Sequence, residues 1–446
     1  MNKDITKNLT EAVFKKARSL SPDDISVITA YVEDSILRFS NNSVTVVDTS
    51  KEATVFLYLT KAGRRAMGAT YAVDPSNLDN FVDRLFTSMK FTEKSEEYVP
   101  LPKATRIPEA RSHYDANIEG LKEKISDQGA AAVNAALAQG AQRVSGAVTA
   151  TIQAYSIKTS GGVEASDQRS SITINVRAFS STGSSGHGLS CSASLRNFNA
   201  EEAGATAGRF AQESRKTGHW EEGEYDLIMG PTVAANILQM VGYSASAFRV
   251  DAGTSFLVNS LGKKIASEEF TLEDIGVIEG GFGGRSFDDE GVPTQRTSII
   301  EKGILRTYLH NSSTAKKYNT STTGNAGILA PHPWNIVATP GKMSLETMIA
   351  ECKKAIYVTN NWYTRYQNYV TGEYSTLPRD ATFLIENGSV KYAINGTRIS
   401  DSIPRQLMNL KGIGKERKWI EWWEVEVPTN TPALLIEKAR VTKAQP

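Results

Sequence analysis

Cysteine is nearly absent from the 446 residues: Cys191 and Cys352 stand far apart, in no Cys-x-x-Cys spacing. That usage excludes a disulfide-stapled secreted scaffold. No apolar run reaches the roughly 18 residues needed to span a bilayer. Met1 to Leu20 is polar and broken by lysines, so the apolar core of a signal peptide is missing too. A soluble cytoplasmic protein without a membrane partner is expected. An excess of one charge is also lacking, since 50 basic and 49 acidic residues give a formal net charge of +1. Phosphate neutralisation supplies most of the affinity of nucleic-acid binders, so this balance argues against direct nucleic-acid binding. Histidine is scarce: none of the five, His113, His187, His219, His310 and His332, pairs with another at a spacing that shares one helix or strand face.

What is present is ordinary globular text, 40% hydrophobic and 22% charged, in a chain long enough for two cores. Leu9, Val13, Ala17 and Leu20 recur as in an amphipathic helix. Alternating runs at 25–32, 44–47 and 54–60 predict strands, and Lys61-Ala62-Gly63 suits a hairpin into 64–70. Asp74 and Pro75 open a helix striped by Leu78, Phe81, Val82, Leu85, Phe86 and Met89. Pro100, Pro102 and Pro108 mark a connector near 94–112. Helical text returns at Ile118 to Ala138, and alternation at 148–154 and 172–176 predicts an antiparallel meander. Asn199 with Glu202 resembles a capping box, and Gly218 stands where that helix would stop. The expected class is α+β: residues 1–222 form an α/β-type domain with a mixed or antiparallel sheet and packed helices, and 223–446 a β-rich domain.

One helix carries most of the functional information. From Gly230 the chain reads Gly-Pro-Thr-Val-Ala-Ala-Asn-Ile-Leu, then Gln239, Met240, Val241, Gly242, Tyr243 and Ser244. Downstream come Asp288-Asp289-Glu290-Gly291-Val292-Pro293-Thr294-Gln295-Arg296-Thr297, the hairpin text 299–305, and Thr322-Thr323-Gly324-Asn325-Ala326. In this order the chain resembles the TldD/PmbA family, also called modulator of DNA gyrase. The resemblance is specific over 230–327 and pattern-level before it. In TldD-type members the helix after Gly-Pro carries His-Glu-x-x-x-His, and a cysteine near the C-terminus completes a zinc site. Aligned from Gly230, those positions fall on Gln239, Met240 and Ser244, and 411–432 contains no cysteine. An amide, a thioether and a hydroxyl supply neither good zinc ligands nor a base. The resemblance is therefore to the PmbA (TldE) type, and a plain core helix with Val233, Ile237, Met240 and Val241 inward is the structural reading of the same text.

Other constellations are weaker. Asp288, Asp289 and Glu290 lack the ligand rhythm of a calcium loop and read as a turn into a strand over 294–300. Gly280 to Gly284 lacks the Lys-Ser/Thr end of a phosphate loop and marks a close backbone approach. By resemblance, Gly281, Gly283, Gly284, Asp288, Asp289, Glu290, Thr294, Gln295, Thr323, Gly324 and Asn325 face the peptide path or the partner. Over 419–427, Trp423, Val425 and Val427 are expected on one strand face and Glu424 and Glu426 on the other, as a subunit contact or as a strand packed on its own domain.

The resemblance implies a non-catalytic subunit of a heterodimeric zinc peptidase acting on unfolded peptides. It implies no cofactor in this chain and zinc in a TldD-type partner. The alternatives are a self-sufficient metallopeptidase with an unrecognised metal site, and a homodimeric peptide-binding protein without proteolysis.

Overall fold

The structure is a computed structural model and describes residues 2–108, 113–180, 184–327 and 329–444. The end of the expected connector, 109–112, lies outside the described residues. Local chemistry sets the first helices. α1 (Asn2–Ser19) turns Val13, Phe14 and Ala17 inward. α2 (Pro75–Ser88) begins where the Asp74 side chain accepts from the Asn77 amide at 3.0 Å, and Pro75 fills a first-turn position that needs no donor. α3 (Ala116–Glu119) is a single turn, whereas α4 (Ile125–Ala138) and α5 (Ala200–Glu213) pack side by side. Asn199 caps α5 by accepting from the Glu202 amide at 2.9 Å. The stop expected at Gly218 is corrected, because α5 ends at Glu213 with Ser214 as its cap. A Cβ on Gly218 would lie 2.2 Å from the Tyr392 ring, so close packing is what requires that glycine.

β1 (Asp24–Ser40), β2 (Ser43–Lys61), β3 (Arg64–Thr70), β4 (Arg143–Thr159), β5 (Glu164–Phe179) and β6 (Ser185–Ser192) form an antiparallel sheet in the order β3-β2-β1-β4-β5-β6. Burial along β1 reports what covers each face. From Glu33 to Phe39 only alternate residues are buried, facing the helices, whereas all of Asp24 to Ala30 is buried. In that stretch α1 and α2 cover Ile25 and Val27, and Phe287 from the C-terminal half packs on Ile28 from the other side.

The second sheet starts at Gly223 and contains β7 (Gly223–Met229), β8 (Leu272–Ile275), β9 (Arg296–Glu301), β10 (Ile304–Leu305), β11 (Ile336–Ala338), β12 (Lys354–Asn368), β13 (Glu373–Glu386), β14 (Ser389–Ala393), β15 (Thr397–Ser402), β16 (Leu410–Trp422) and β17 (Val425–Lys443). β17 pairs with β15 and with β7, β7 with β12, β12 with β13 and β13 with β15, so five strands close a ring. Lys302-Gly303 and Asn387-Gly388 turn their hairpins with positive φ at both residues, the backbone that matches strand twist. α6 (Pro231–Ser244) packs on β17, β12 and β16 and is buried on all sides from Thr232 to Gly242. No helix among the described residues is long and apolar enough to cross a membrane.

The α4–α5 contact depends on backbone proximity: a Cβ on Gly204 would sit 2.0 Å from the Ala132 carbonyl oxygen. Gly204→Ala is therefore expected to cost about 1–3 kcal/mol through overpacking. Urea denaturation measures it, and an unshifted midpoint would refute the close approach.

Candidate functional site

α6 places its few polar side chains against a single hairpin tip. Trp422 pairs with Val425, leaving Trp423 and Glu424 as the two-residue turn between β16 and β17. The expected alternation through 423–427 is thereby corrected: the Glu424 side chain is 1% exposed, and Trp423 is 49% exposed. The Glu424 carboxylate accepts from the amides of Tyr363 at 2.9 Å and Thr364 at 3.1 Å, from Asn236 Nδ2 at 3.4 Å, and from Arg365 at 3.3 Å. Those amides belong to a bulge of β12, where Tyr363 holds φ 56°, a left-handed conformation costly for an aromatic residue.

Gln239 spans the other side of the tip. Its Oε1 accepts from the amides of Glu426 at 2.9 Å and Val427 at 3.4 Å, and its Nε2 donates to the Glu424 carbonyl. Met240 lies in the core, its carbonyl accepting from Tyr366 Oη at 3.3 Å. Ser244 Oγ shares a 3.0 Å hydrogen bond with the same phenol. All three motif positions are committed to holding the helix in place, and Glu424 is committed as well. Among the described residues no group of three or more His, Cys, Asp or Glu side chains gathers in a way that could hold a metal ion. The donor set on and around α6 does not fit zinc.

The histidines have separate settings. His310 packs against Tyr308 and Tyr318, and His332 against Trp334 at 4.4 Å between ring centroids. His187 packs against Trp422 with ring centroids 4.9 Å apart and shares a 3.0 Å hydrogen bond with Asn175. Burial pulls His187, His310 and His332 down to about 4, so all three are neutral at pH 7. Burial pushes the Cys191 thiol up, and Cys191 bonds the Glu421 backbone, so the His187–Cys191 neighbourhood holds no activated nucleophile.

The acidic loop folds against the Thr-Gly-Asn turn. Asp288 is fully buried, and its carboxylate accepts from the amides of Glu290 at 3.0 Å, Val292 at 2.9 Å and Ala326 at 3.0 Å. Burial, and next the Glu290 charge, push Asp288 up to about 7 against those three bonds. The carboxylate thus serves the turn rather than a cation. Asp289 pairs with Arg285, and its amide donates to the Ala326 carbonyl at 3.0 Å. Thr294 donates to the Arg285 carbonyl at 2.6 Å, and Gln295 to the Thr322 carbonyl at 3.2 Å. Thr323 Oγ1 accepts from the His310 amide at 2.7 Å. Gly324, at φ 66°, accepts from the Trp334 indole at 2.8 Å. Asn325 donates to Asp274 at 2.6 Å and to the His332 carbonyl at 2.9 Å. Burial pushes Asp274 up to about 7 although three donors face it.

The glycine-rich loop does approach backbone closely, and the backbone is the chain's own. A Cβ on Gly284 would lie 1.6 Å from the Gly276 carbonyl oxygen, and one on Gly283 would lie 2.2 Å from that of Trp334. One on Gly281 would meet Ile278 at 2.4 Å. Arg169 donates to the carbonyls of Gly283 and Gly284, and Asp167 accepts from the Ser286 amide at 2.6 Å while bonding His113 at 3.2 Å. Of the eleven residues suggested by resemblance, Gly281, Gly284, Asp288, Gly324 and Asn325 are buried supports; Gly283, Asp289, Glu290, Thr294 and Thr323 are partly exposed and Gln295 is exposed. Sequence reasoning missed Glu424, Asp167, Arg169 and Asp274. No local signal marks them, because each partner lies far along the chain.

Comparisons with known proteins agree with this architecture. Residues 222–443 match the family model of the PmbA/TldA metallopeptidase C-terminal domain. A Methanocaldococcus jannaschii metalloprotease is 31% identical over 205 residues, 44% of either chain. The matched part is thus less than half of that relative. A Methanothermobacter thermautotrophicus metalloprotease is 25% identical over 70% of each chain, and the PmbA metalloprotease of Escherichia coli O157:H7 is 32% identical over 36% of this chain and 35% of its own. The fold is that of TldE from Thermococcus kodakarensis, with a TM-score of 0.85 at 21% identity over 98% of this chain and 99% of that one. A Thermotoga maritima protein described as a modulator of DNA gyrase superposes with a TM-score of 0.86 at 21% identity over the same shares.

Two expectations follow. Gln239→Leu strands two amides and a carbonyl at the hairpin tip, which should cost about 1–3 kcal/mol; thermal denaturation measures it, and an unchanged melting temperature would remove the clamp from the account. The three buried histidines bind fewer protons folded than unfolded. Their contribution is complete above pH 6.5, the unfolded value, and is lost as pH falls toward about 4. Burial raises Asp274 and Asp288, which shifts stability the opposite way over the same window, so the histidine contribution is read as a difference. The urea unfolding free energy of His332→Gln relative to the parent chain should rise as pH falls from 6.5 toward 4; a pH-independent difference contradicts the neutral burial of His332.

Proposed function

The chain belongs to the PmbA/TldD family of metallopeptidases, and from that premise we propose that it is the non-catalytic, TldE-type subunit of a two-subunit zinc peptidase acting on unfolded peptides. The observation that carries the reading is the occupancy of α6. Where the resemblance expects two histidines and a glutamate, Gln239, Met240 and Ser244 are buried or bonded within the fold, and their chemistry cannot activate water. The metal-bearing subunit is a TldD-type homologue, and that subunit supplies the zinc.

In this reading the chain contributes surface and positioning. Trp423 and Tyr363, 49% and 51% exposed with ring centroids 5.9 Å apart, form an aromatic knob beside the degenerate site. Exposed aromatics set on a rigid base are the usual anchors of a protein interface. Glu424 fixes that base, so the knob is preorganised for a partner. The exposed and partly exposed members of the acidic loop and the Thr323 turn flank the peptide, which pairs as an added strand.

Hydrolysis of an unfolded peptide and bound zinc are to be measured for this chain alone, for its TldD-type relative, and for the mixture. The expected result is no hydrolysis and no stoichiometric zinc for this chain, with activity and zinc in the mixture. Activity with stoichiometric zinc in the lone chain would establish a self-sufficient enzyme instead. Peptide binding by a homodimer, with no hydrolysis in any combination, would establish a binding protein. The triple substitution Gln239→His, Met240→Glu, Ser244→His is expected to remain inactive, because 411–432 supplies no cysteine.

A further inference from the structure

A cavity of about 610 Å³ separates the first sheet from the C-terminal half. Its size is within the range of small-ligand sites. Ile28, Phe56 and Met67 of the sheet give it an apolar floor, and Val99 and Leu101 of the connector form a wall. Phe248 and Leu329 also line it while remaining 51% and 76% exposed, so apolar surface continues to the mouth.

Charge in the lining is uneven. Four carboxylates, Glu97, Asp251, Asp289 and Glu290, face two cations, Arg65 and Lys317. Lys317 bonds Glu97 at 3.1 Å and Asp251 at 3.0 Å, and Asp289 pairs with Arg285. Glu290 has no ion-pair partner among the described residues. Its Oε2 accepts from the Ser312 amide at 2.9 Å and the Ser312 hydroxyl at 2.5 Å, which orients the carboxyl and leaves Oε1 without a hydrogen bond. Burial raises its pKa despite the Ser312 bonds, the response of a carboxylate short of compensating charge.

We propose that this cavity binds a peptide segment presenting a bulky apolar side chain next to an ammonium group, the ammonium on Glu290 and the side chain on the Ile28–Phe56–Met67 floor. The inference rests on the reading above only in taking peptide as the ligand; it requires neither zinc nor a partner. The ammonium is either a free peptide N-terminus or a lysine side chain, and both supply the same charge-assisted hydrogen bond.

The test is fluorescence anisotropy with the full chain and three C-terminally labelled hexapeptides: free-amine Phe-Ala-Ser-Gly-Ser-Gly, its N-acetylated form, and N-acetylated Phe-Lys-Ser-Gly-Ser-Gly. The free-amine peptide, the lysine peptide or both should bind about tenfold or more tightly than the acetylated peptide without lysine, and which of them does so identifies the source. Glu290→Gln should erase that preference. Met67→Trp, which fills the floor and leaves the charges in place, should weaken all three peptides, and melting curves check that both variants fold. Equal binding of the three peptides, no binding by the folded chain, or a preference that survives Glu290→Gln would overturn the proposal. Since the lone chain is used and hydrolysis is not read, this outcome is independent of whether the mixed peptidase is active.

Discussion

A helix buried on every side must find a partner for each of its polar groups within the protein, because water cannot reach them. α6 meets this requirement at the turn of Trp423 and Glu424. Gln239 takes up the backbone of that turn, Asn236 donates to the Glu424 carboxylate, and the carboxylate holds two amides of the β12 bulge. Removing any member leaves a buried donor or acceptor without its mate. The same bonds that seat α6 inside the C-terminal half also fix Tyr363 in its left-handed conformation and set Trp423 outside. Core satisfaction and surface display are one arrangement.

The two halves meet through polar groups that neither could satisfy alone. Asp167 on β5 ties His113 to the Ser286 amide, and Arg169 on the same strand takes the carbonyls of Gly283 and Gly284. Arg177 and Ser185 meet Asp380 in the same way, at 2.6 and 2.7 Å. Around these bonds Phe287 packs on Ile28 and Ile157, which explains why β1 is buried on both faces only over its first seven residues. Where that packing stops, the cavity beside Glu290 begins. The cavity is therefore walled by the elements that lock the halves together.

Local chemistry was legible and long-range chemistry was not. Asp74 with Pro75, Asn199 with Glu202, and the hairpin text that holds Lys302-Gly303 are short-range signals, and each lies where the spacing put it. The mostly apolar text of α6 also announced a core helix. Gly218 misled because glycine serves close packing as readily as helix termination, and the Tyr392 ring that requires it lies far along the chain. Glu424 misled because alternation assumes a continuous strand, while the turn at Trp423 carries no glycine, asparagine or proline to mark it. Ring closure through β17 and β7 leaves no sequence trace, since one long strand pairing with several others reads the same as a long strand at an edge.

Metal ligation and folding are thermodynamically linked, so a chain whose ligand positions cannot bind zinc must stabilise that region otherwise. Here the substitution is visible residue by residue. Gln239, at a position the resemblance assigns to a ligand, makes amide-to-backbone hydrogen bonds, Met240 fills the core, and Ser244 bonds Tyr366. These interactions are complete without a cation, and they favour a rigid local structure over a reactive one. Under the two-subunit proposal, shape retained without chemistry is what this chain contributes. On this helix Gln239 points its lone pairs at the protein's own backbone, Ser244 bonds the Tyr366 phenol and Met240 offers only core contact, so none of the three side chains is left to serve a cation.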